Sequence, residues 1–285
     1  MDISTHRYMK VALIALLAAA ASGAAKADDW SKTYPISGHA NLTLTTSDGE
    51  VNISGSDQKQ IVAKVTTWGW KISPSDVNIE ESQNGDTVTI SVRTPHWNFG
   101  WGSKGLRVDL SVPQDLDADI HTGDGNLTVR GAGGNLRLAT GDGNVSTSSL
   151  HGNVQIQTGD GNITGQAFDG SLDASTGDGN MTLQGRFDTV RVKSGDGNVQ
   201  LEAANGSRVS TQWQVTSGDG RISVRLPENL QADLDARTGD GEITLDIPVQ
   251  VMGTISRSSV HGKLNGGGGQ LFLRSGDGSI QIEKL

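Results

Sequence analysis

The pentapeptide TGDGN spans Thr122–Asn126 and returns at Thr140, Thr158 and Thr176, with SGDGN at Ser194, at an interval of 18 residues each time. Four residues after the glycine that precedes each Asp stand Leu127, Val145, Ile163, Met181 and Val199. Six residues after it stand Val129, Thr147, Gly165, Leu183 and Leu201. Looser copies around Asp48, Asp219, Asp240 and Asp277 keep the pattern with Val51, Ile222, Ile243 and Ile280. Apolar residues at every second position mark a short strand that buries one face.

A second strand follows within each unit, at Leu136 and Leu138, Val154 and Ile156, Leu172 and Ala174, and Val190 and Val192. Between the two strands lies a corner that is often apolar, at Ala132, Leu150, Phe168 and Phe187. No such unit can cover its own inward face, so neighbours must stack. The expected fold is therefore all-β, a stacked parallel β-solenoid of 18-residue coils with two short strands per coil. The apolar positions do not recur at hexad spacing, which favours a flattened two-sheet coil over a triangular one. Each Asp-Gly pair is expected to supply a positive-φ turn, with the Asp bonded to its own backbone.

Stacked coils place equivalent residues about 4.8 Å apart. On that spacing Asn126, Asn144, Asn162, Asn180 and Asn198 form an amide ladder. Asp124, Asp142, Asp160, Asp178 and Asp196 form a parallel carboxylate column, with Asp48, Asp219, Asp240 and Asp277 on less regular layers. Carboxylates that close repel unless solvated or joined by a cation, so weak divalent-cation binding is the one cofactor expectation the column raises. The calcium-binding nonapeptide pattern fails, because Gly125 stands where that pattern needs an Asp.

The ends are less regular. Intervals of 23, 21 and 37 residues separate Gly195, Gly218, Gly239 and Gly276, so later layers carry insertions or extra strands. Residues 56–112 alternate in IVAKVTTW, DVNIEE, TVTISV and LRVDLSV without the turn repeat, which predicts antiparallel hairpins that cap the stack. The chain divides into a signal peptide at 1–27, an N-terminal β region at 28–112 with a first layer and hairpins, and the repeat solenoid at 113–285.

Arg7 and Lys10 precede the apolar run VALIALLAAAASGAA and a small-x-small site at Ala25-Lys26-Ala27, the pattern of a cleaved export signal. The strongly apolar part is too short for a spanning helix, so no transmembrane segment is expected once the signal is removed. Its removal takes away Asp2, Arg7, Lys10 and Lys26 and moves the net charge from −9 to −11. An acidic chain without a basic stripe excludes a nucleic-acid partner. Cysteine is absent, so disulfides and thiolate metal sites are excluded. The expected location is periplasmic, cell-surface or secreted.

Aromatic residues concentrate at Trp68 and Trp70 and at Trp97, Phe99 and Trp101, either as a recognition patch or as the small core of the cap. The histidines are scattered without metal-ligand spacing, and no nucleophile elbow, P-loop or zinc-protease motif is present. No cofactor and no catalytic residue are expected. The alternatives kept open are a polysaccharide-acting enzyme with carboxylates in a groove and a structural or cation-binding envelope protein.

The GDGN units, the opening TYPISGHANLTLTTSDGEVNISG and the closing VHGKLNGGGGQLFLRSGDGSIQIEKL resemble the bacterial adhesin-like β-strand repeat family of unknown function, related to the toastrack domains of envelope-stress proteins. The resemblance covers nearly all of the mature chain. It implies a non-catalytic module that engages an envelope component, a glycan or a protein.

Overall fold

The computed structural model describes residues 27–95, 104–252 and 256–285, and these are all β. The first strands are β1 (Ala27–Pro35), β2 (Ala40–Thr46), β3 (Glu50–Ser56), β4 (Gln60–Trp68), β5 (Asn78–Asn84), β6 (Thr87–Arg93) and β7 (Gly105–Pro113). The regular block holds β8 (Asp115–Thr122), β9 (Leu127–Arg130), β10 (Gly133–Thr140), β11 (Val145–Ser148), β12 (His151–Gln157), β13 (Ile163–Ser175) and β14 (Met181–Lys193). Then come β15 (Val199–Ala203), β16 (Gln212–Ser217), β17 (Ile222–Leu226), β18 (Ala232–Thr238) and β19 (Ile243–Asp246). The remaining strands are β20 (Gln250–Val251), β21 (Ser259–Leu264), β22 (Gly269–Ser275) and β23 (Ile280–Lys284).

The strands pair in two parallel rows. In one, β8, β10, β12 and the second half of β13 lie side by side, with Leu136 opposite Ala118 and Val154, and Val154 opposite Leu172. In the other, β9, β11 and the first halves of β13 and β14 do the same, with Val145 opposite Leu127 and Ile163. β13 and β14 run through the corner and join the rows. Inward residues of both rows are buried in one continuous core, while outward neighbours stay exposed or half-buried. Corner residues Ala132, Leu150, Phe168 and Phe187 are buried with it. Phe187 also meets Trp213 edge-on at 6.2 Å and Phe168 at 6.1 Å, an aromatic run confined to consecutive rungs.

Two features differ from the sequence expectation. The N-terminal region contains antiparallel pairs (β1 on β4, β4 on β7, β5 on β6), but β6 and β7 also form a parallel rung against β2 and β3. The sheet therefore runs unbroken across Val112 and Pro113 into β8. At the far end the rungs leave chain order: β22 and β23 lie between β16/β17 and β18/β19. The irregular 37-residue interval before Gly276 thus belongs to a detour, in which β18 and β19 build the outer rung and β21 and β20 pair antiparallel beyond it before the chain returns to fill the inner one.

The turn glycines do not act as expected either. Left-handed backbone occurs at Gly134, Gly152 and Gly170 and at Gly131, Ser149 and Ala167, on the opposite corner from the Asp-Gly turns. The Asp-Gly glycines are required for space: any Cβ on Gly143, Gly161, Gly179 or Gly197 would run into the carbonyl of the equivalent glycine one rung before. The preceding glycines of the motif carry the ladder itself, with the N–H of Gly141 donating to the carbonyl of Gly123 at 2.5 Å.

The hydroxyl before each Gly-Asp-Gly is buried and points back along the stack. Thr158 Oγ1 lies 2.8 Å from the Gly143 carbonyl and 3.1 Å from that of Gly141, and Thr140, Thr176 and Ser194 repeat the arrangement. Replacing Thr158 by Val keeps the shape and takes the hydroxyl donor from the Gly143 carbonyl, while the Gly141 carbonyl keeps the N–H of Gly159. The expected loss is about 1–3 kcal/mol, read as a lower urea midpoint, while Thr164→Val on the exposed face leaves the midpoint nearly unchanged.

Candidate functional site

Because the rungs are in register, every outward position becomes a column. Asn144 donates its backbone N–H to Asn126 Oδ1 at 2.9 Å and its side-chain amide to the same oxygen at 3.2 Å. The arrangement repeats from Asn162 to Asn144, Asn180 to Asn162 and Asn198 to Asn180, and ends where the N–H of Arg221 bonds Asn198. All five amides are exposed.

Asp124, Asp142, Asp160, Asp178 and Asp196 stand exposed beside the ladder. Their carboxylates reach toward the next rung and not toward their own backbone: Asp48 accepts the N–H of Asp124 at 3.2 Å, and Asp124 that of Asp142 at 3.3 Å. Among the described residues, no three His, Cys, Asp or Glu side chains converge as metal ligands.

Trp68 and Trp70 are half-buried in the cap. The Trp68 ring covers Gly105, and Lys104 Nζ sits 5.7 Å above the Trp70 ring. Trp97, Phe99 and Trp101 of the expected aromatic patch lie outside the described residues.

Sequence reasoning passed over the outer face of β2, β8, β10, β12 and β13. A depression of about 450 Å³ crosses these five strands. One wall is the register column Asn41, Asp117, Asn135, Asn153 and Ser171. Asn135 donates its backbone and side-chain N–H to Asp117 Oδ1 at 3.2 and 2.8 Å, and Asn153 donates to Asn135 Oδ1 at 3.0 Å. The Asn135 amide holds the Asp117 carboxyl below the usual carboxylate range. The second column is Thr43, Asp119, Arg137, Gln155 and Asp173. Its carboxylates stand beside guanidinium groups, Arg137 3.5 Å from Asp119 and Arg191 3.6 Å from Asp173, while in the first column His39 lies 3.4 Å from Asp117. The signal available in the sequence was Asn135 and Asn153 at the 18-residue spacing, in strands assigned only for their buried residues.

A charged knot closes the corner outside Phe187. Arg186 grips Asp188 with two hydrogen bonds of 2.8 and 3.0 Å and also binds Asp169, while Arg208 adds a bond to Asp188 at 2.8 Å. Hydrogen bonding to Arg186 holds the Asp188 carboxyl below its ordinary range. Every carboxylate here faces a guanidinium, which suits a structural clasp over the break in register between Gly165 and Phe168.

No helix among the described residues is long and apolar enough to cross a membrane. Solved structures similar to the chain include a candidate cell adhesion protein from Clostridium sporogenes, at 15% identity and a TM-score of 0.34, covering 91% of this chain and 100% of the other. A candidate lipid-binding protein from Parabacteroides distasonis shares 15% identity with a TM-score of 0.49, covering 90% of this chain and 96% of its own. A candidate adhesin from Bacteroides fragilis shares 11% identity with a TM-score of 0.40, covering 90% and 97%. None of these likenesses is close enough to transfer a role. No curated protein matches the chain. The family model Toastrack DUF4097 matches residues 39–283, from the strand before the first Asp-Gly turn to the last strand of the stack, and the chain belongs to that family.

Proposed function

We propose that the chain is an exported, non-catalytic adhesive module of the cell envelope, whose stack works as a flattened β-solenoid that offers columns of like side chains to an envelope component, a glycan or a protein. The observation that carries this reading is the exposed amide ladder from Asn126 to Asn198, each member oriented by the one before it. Side chains already ordered in the free protein lose little freedom on binding. Identical weak contacts repeated along one line add through effective concentration. The basic-then-apolar leader supports export to a periplasmic, surface or secreted location.

The reading requires no metal, because the first carboxylates of the Asp column are already engaged by backbone N–H groups. Thermal melting is expected to be the same in a chelator and in millimolar calcium. A melting temperature raised by calcium would instead establish cation sites in the column.

The test of the adhesive role is saturable retention of the full chain on envelope fractions and on immobilised polysaccharides and surface proteins, with soluble products assayed alongside. Retention without product release supports the role. Release of sugars from a polysaccharide overturns the non-catalytic reading, and no retention on any surface overturns the adhesive one.

A further inference from the structure

We infer that the depression across β2, β8, β10, β12 and β13 is the ligand groove, and that its ligand is a linear, neutral polysaccharide lying across the rungs. The inference rests on the adhesive reading above and names the chemistry of its partner.

Direction comes first. The groove runs perpendicular to the strands, so its polar groups repeat at the rung spacing of about 4.8 Å, over roughly 19 Å in all. A peptide strand added to a sheet edge would run parallel to the strands and use backbone groups. These rungs are internal and their backbones are already paired on both sides. What fits a row of side chains across the rungs is a polymer whose own polar edge recurs at about that distance. An extended chain of pyranose rings does this, since one ring advances the chain by about one rung.

Charge comes second. Among the described residues that line the groove the one Lys or Arg is Arg137, which stands beside Asp119, and Arg191 at its end stands beside Asp173, so neither guanidinium is left over to bind sulfate, phosphate or uronate groups. An acidic polymer would meet Asp117, Asp119 and Asp173 unfavourably. The neutral polymer remains.

Hydrogen-bonding capacity comes third. Asn135 spends one side-chain N–H and one lone pair on its neighbours and keeps another of each for the groove, and Asn153 spends one N–H on Asn135 and keeps its second N–H and its carbonyl oxygen. Paired donors and acceptors of fixed orientation suit the vicinal hydroxyls of a sugar ring. No aromatic ring lines the groove, so no single subsite binds tightly and affinity accumulates along the chain.

The experiment is calorimetric titration of the full chain with neutral β-linked gluco- and manno-oligosaccharides, from disaccharide to octasaccharide, with oligogalacturonate as the acidic comparator. Affinity is expected to rise with each added sugar until the groove is filled, at about five rings by the rung spacing, and to level off beyond. Asn153→Ala, which removes a ladder amide, and Ser171→Trp, which fills the groove beside Asn153 and removes no amide, are each expected to weaken binding about tenfold or more. Both positions face outward, so unchanged melting shows that the variants fold. Binding that ignores chain length, survives both substitutions or prefers oligogalacturonate overturns the assignment. If no neutral oligosaccharide binds while the chain still adheres to envelope fractions or a surface protein, the groove assignment falls and the adhesive role stands; if nothing adheres, both fall.

Discussion

Gly161→Ala is expected to cost at least about 3 kcal/mol of stability, although it adds a single methyl group, at a buried position of the turn. The methyl has nowhere to go. It would strike the Gly143 carbonyl, which is backbone, is held in the neighbouring rung, and already accepts the buried Thr158 hydroxyl. Relief requires the rungs to part at the turn, which also breaks the adjoining glycine ladder. Gly131→Ala is the control. That residue lies in left-handed backbone with open space around it, so only the conformational penalty of about 1–2 kcal/mol applies. Urea midpoints for the two variants distinguish the explanations. Equal losses would mean that backbone conformation, and not the approach of neighbouring rungs, is why the turn needs glycine.

Removal of residues 269–285 is expected to abolish cooperative folding, whereas excision of residues 142–159 leaves a folded, shorter stack. The shorter cut is the more damaging because of where it falls. β22 and β23 bridge β16/β17 and β18/β19, and their Leu271, Leu273, Ile280 and Ile282 are fully buried. Burial of four such side chains contributes roughly 6–12 kcal/mol, comparable with the whole stability of a typical domain. The outer rung would also lose the parallel pairing of β18 with β22 and of β19 with β23. Excision of residues 142–159 joins Gly141 to Asp160 and brings Thr140-Gly141-Asp160-Gly161-Asn162 together as the same turn. β10 can then pair with the second half of β13, and β9 with its first half, in the register that β12 and β11 supplied. Stability falls by about one rung and one interface, as in other stacked repeats. Circular dichroism and melting of the two truncations decide the matter: a folded 269–285 deletion would remove the bridging role of the final pair.

The inward half of the architecture was legible because burial acts within each strand. Leu127, Val129, Leu136 and Leu138 announce their side of the sheet by alternation, and all four are buried. The Asn column was legible because equal spacing in sequence becomes equal height in a regular stack. The rung order at the ends was not, since nothing within β22 or β23 states that they are to sit between β16/β17 and β18/β19 in the sheet. That choice is made by contacts between segments far apart in sequence. The glycine turns were misread for the same reason: within one unit Asp-Gly looks like a conformational device, and the carbonyl that forbids a side chain belongs to the unit before. The hydroxyl of Thr158 was in plain view at each repeat, yet its partner also lies one rung away. Of the candidate groove, Asn135 and Asn153 carried a periodic signal, but Asn41 enters from the first layer, outside the regular spacing.

The aromatic corner formed by Phe168, Phe187 and Trp213 has a further consequence. Nearly identical units invite a sliding error, in which a strand zips onto the wrong copy one whole repeat away with all its turn and ladder bonds intact. Bulky rings that occupy that corner in only one short run make the copies unequal. A shift by one unit would set Phe168 where Leu150 belongs and leave Trp213 without Phe187 as its edge-on neighbour, so the rings act as the alignment mark for an otherwise interchangeable series.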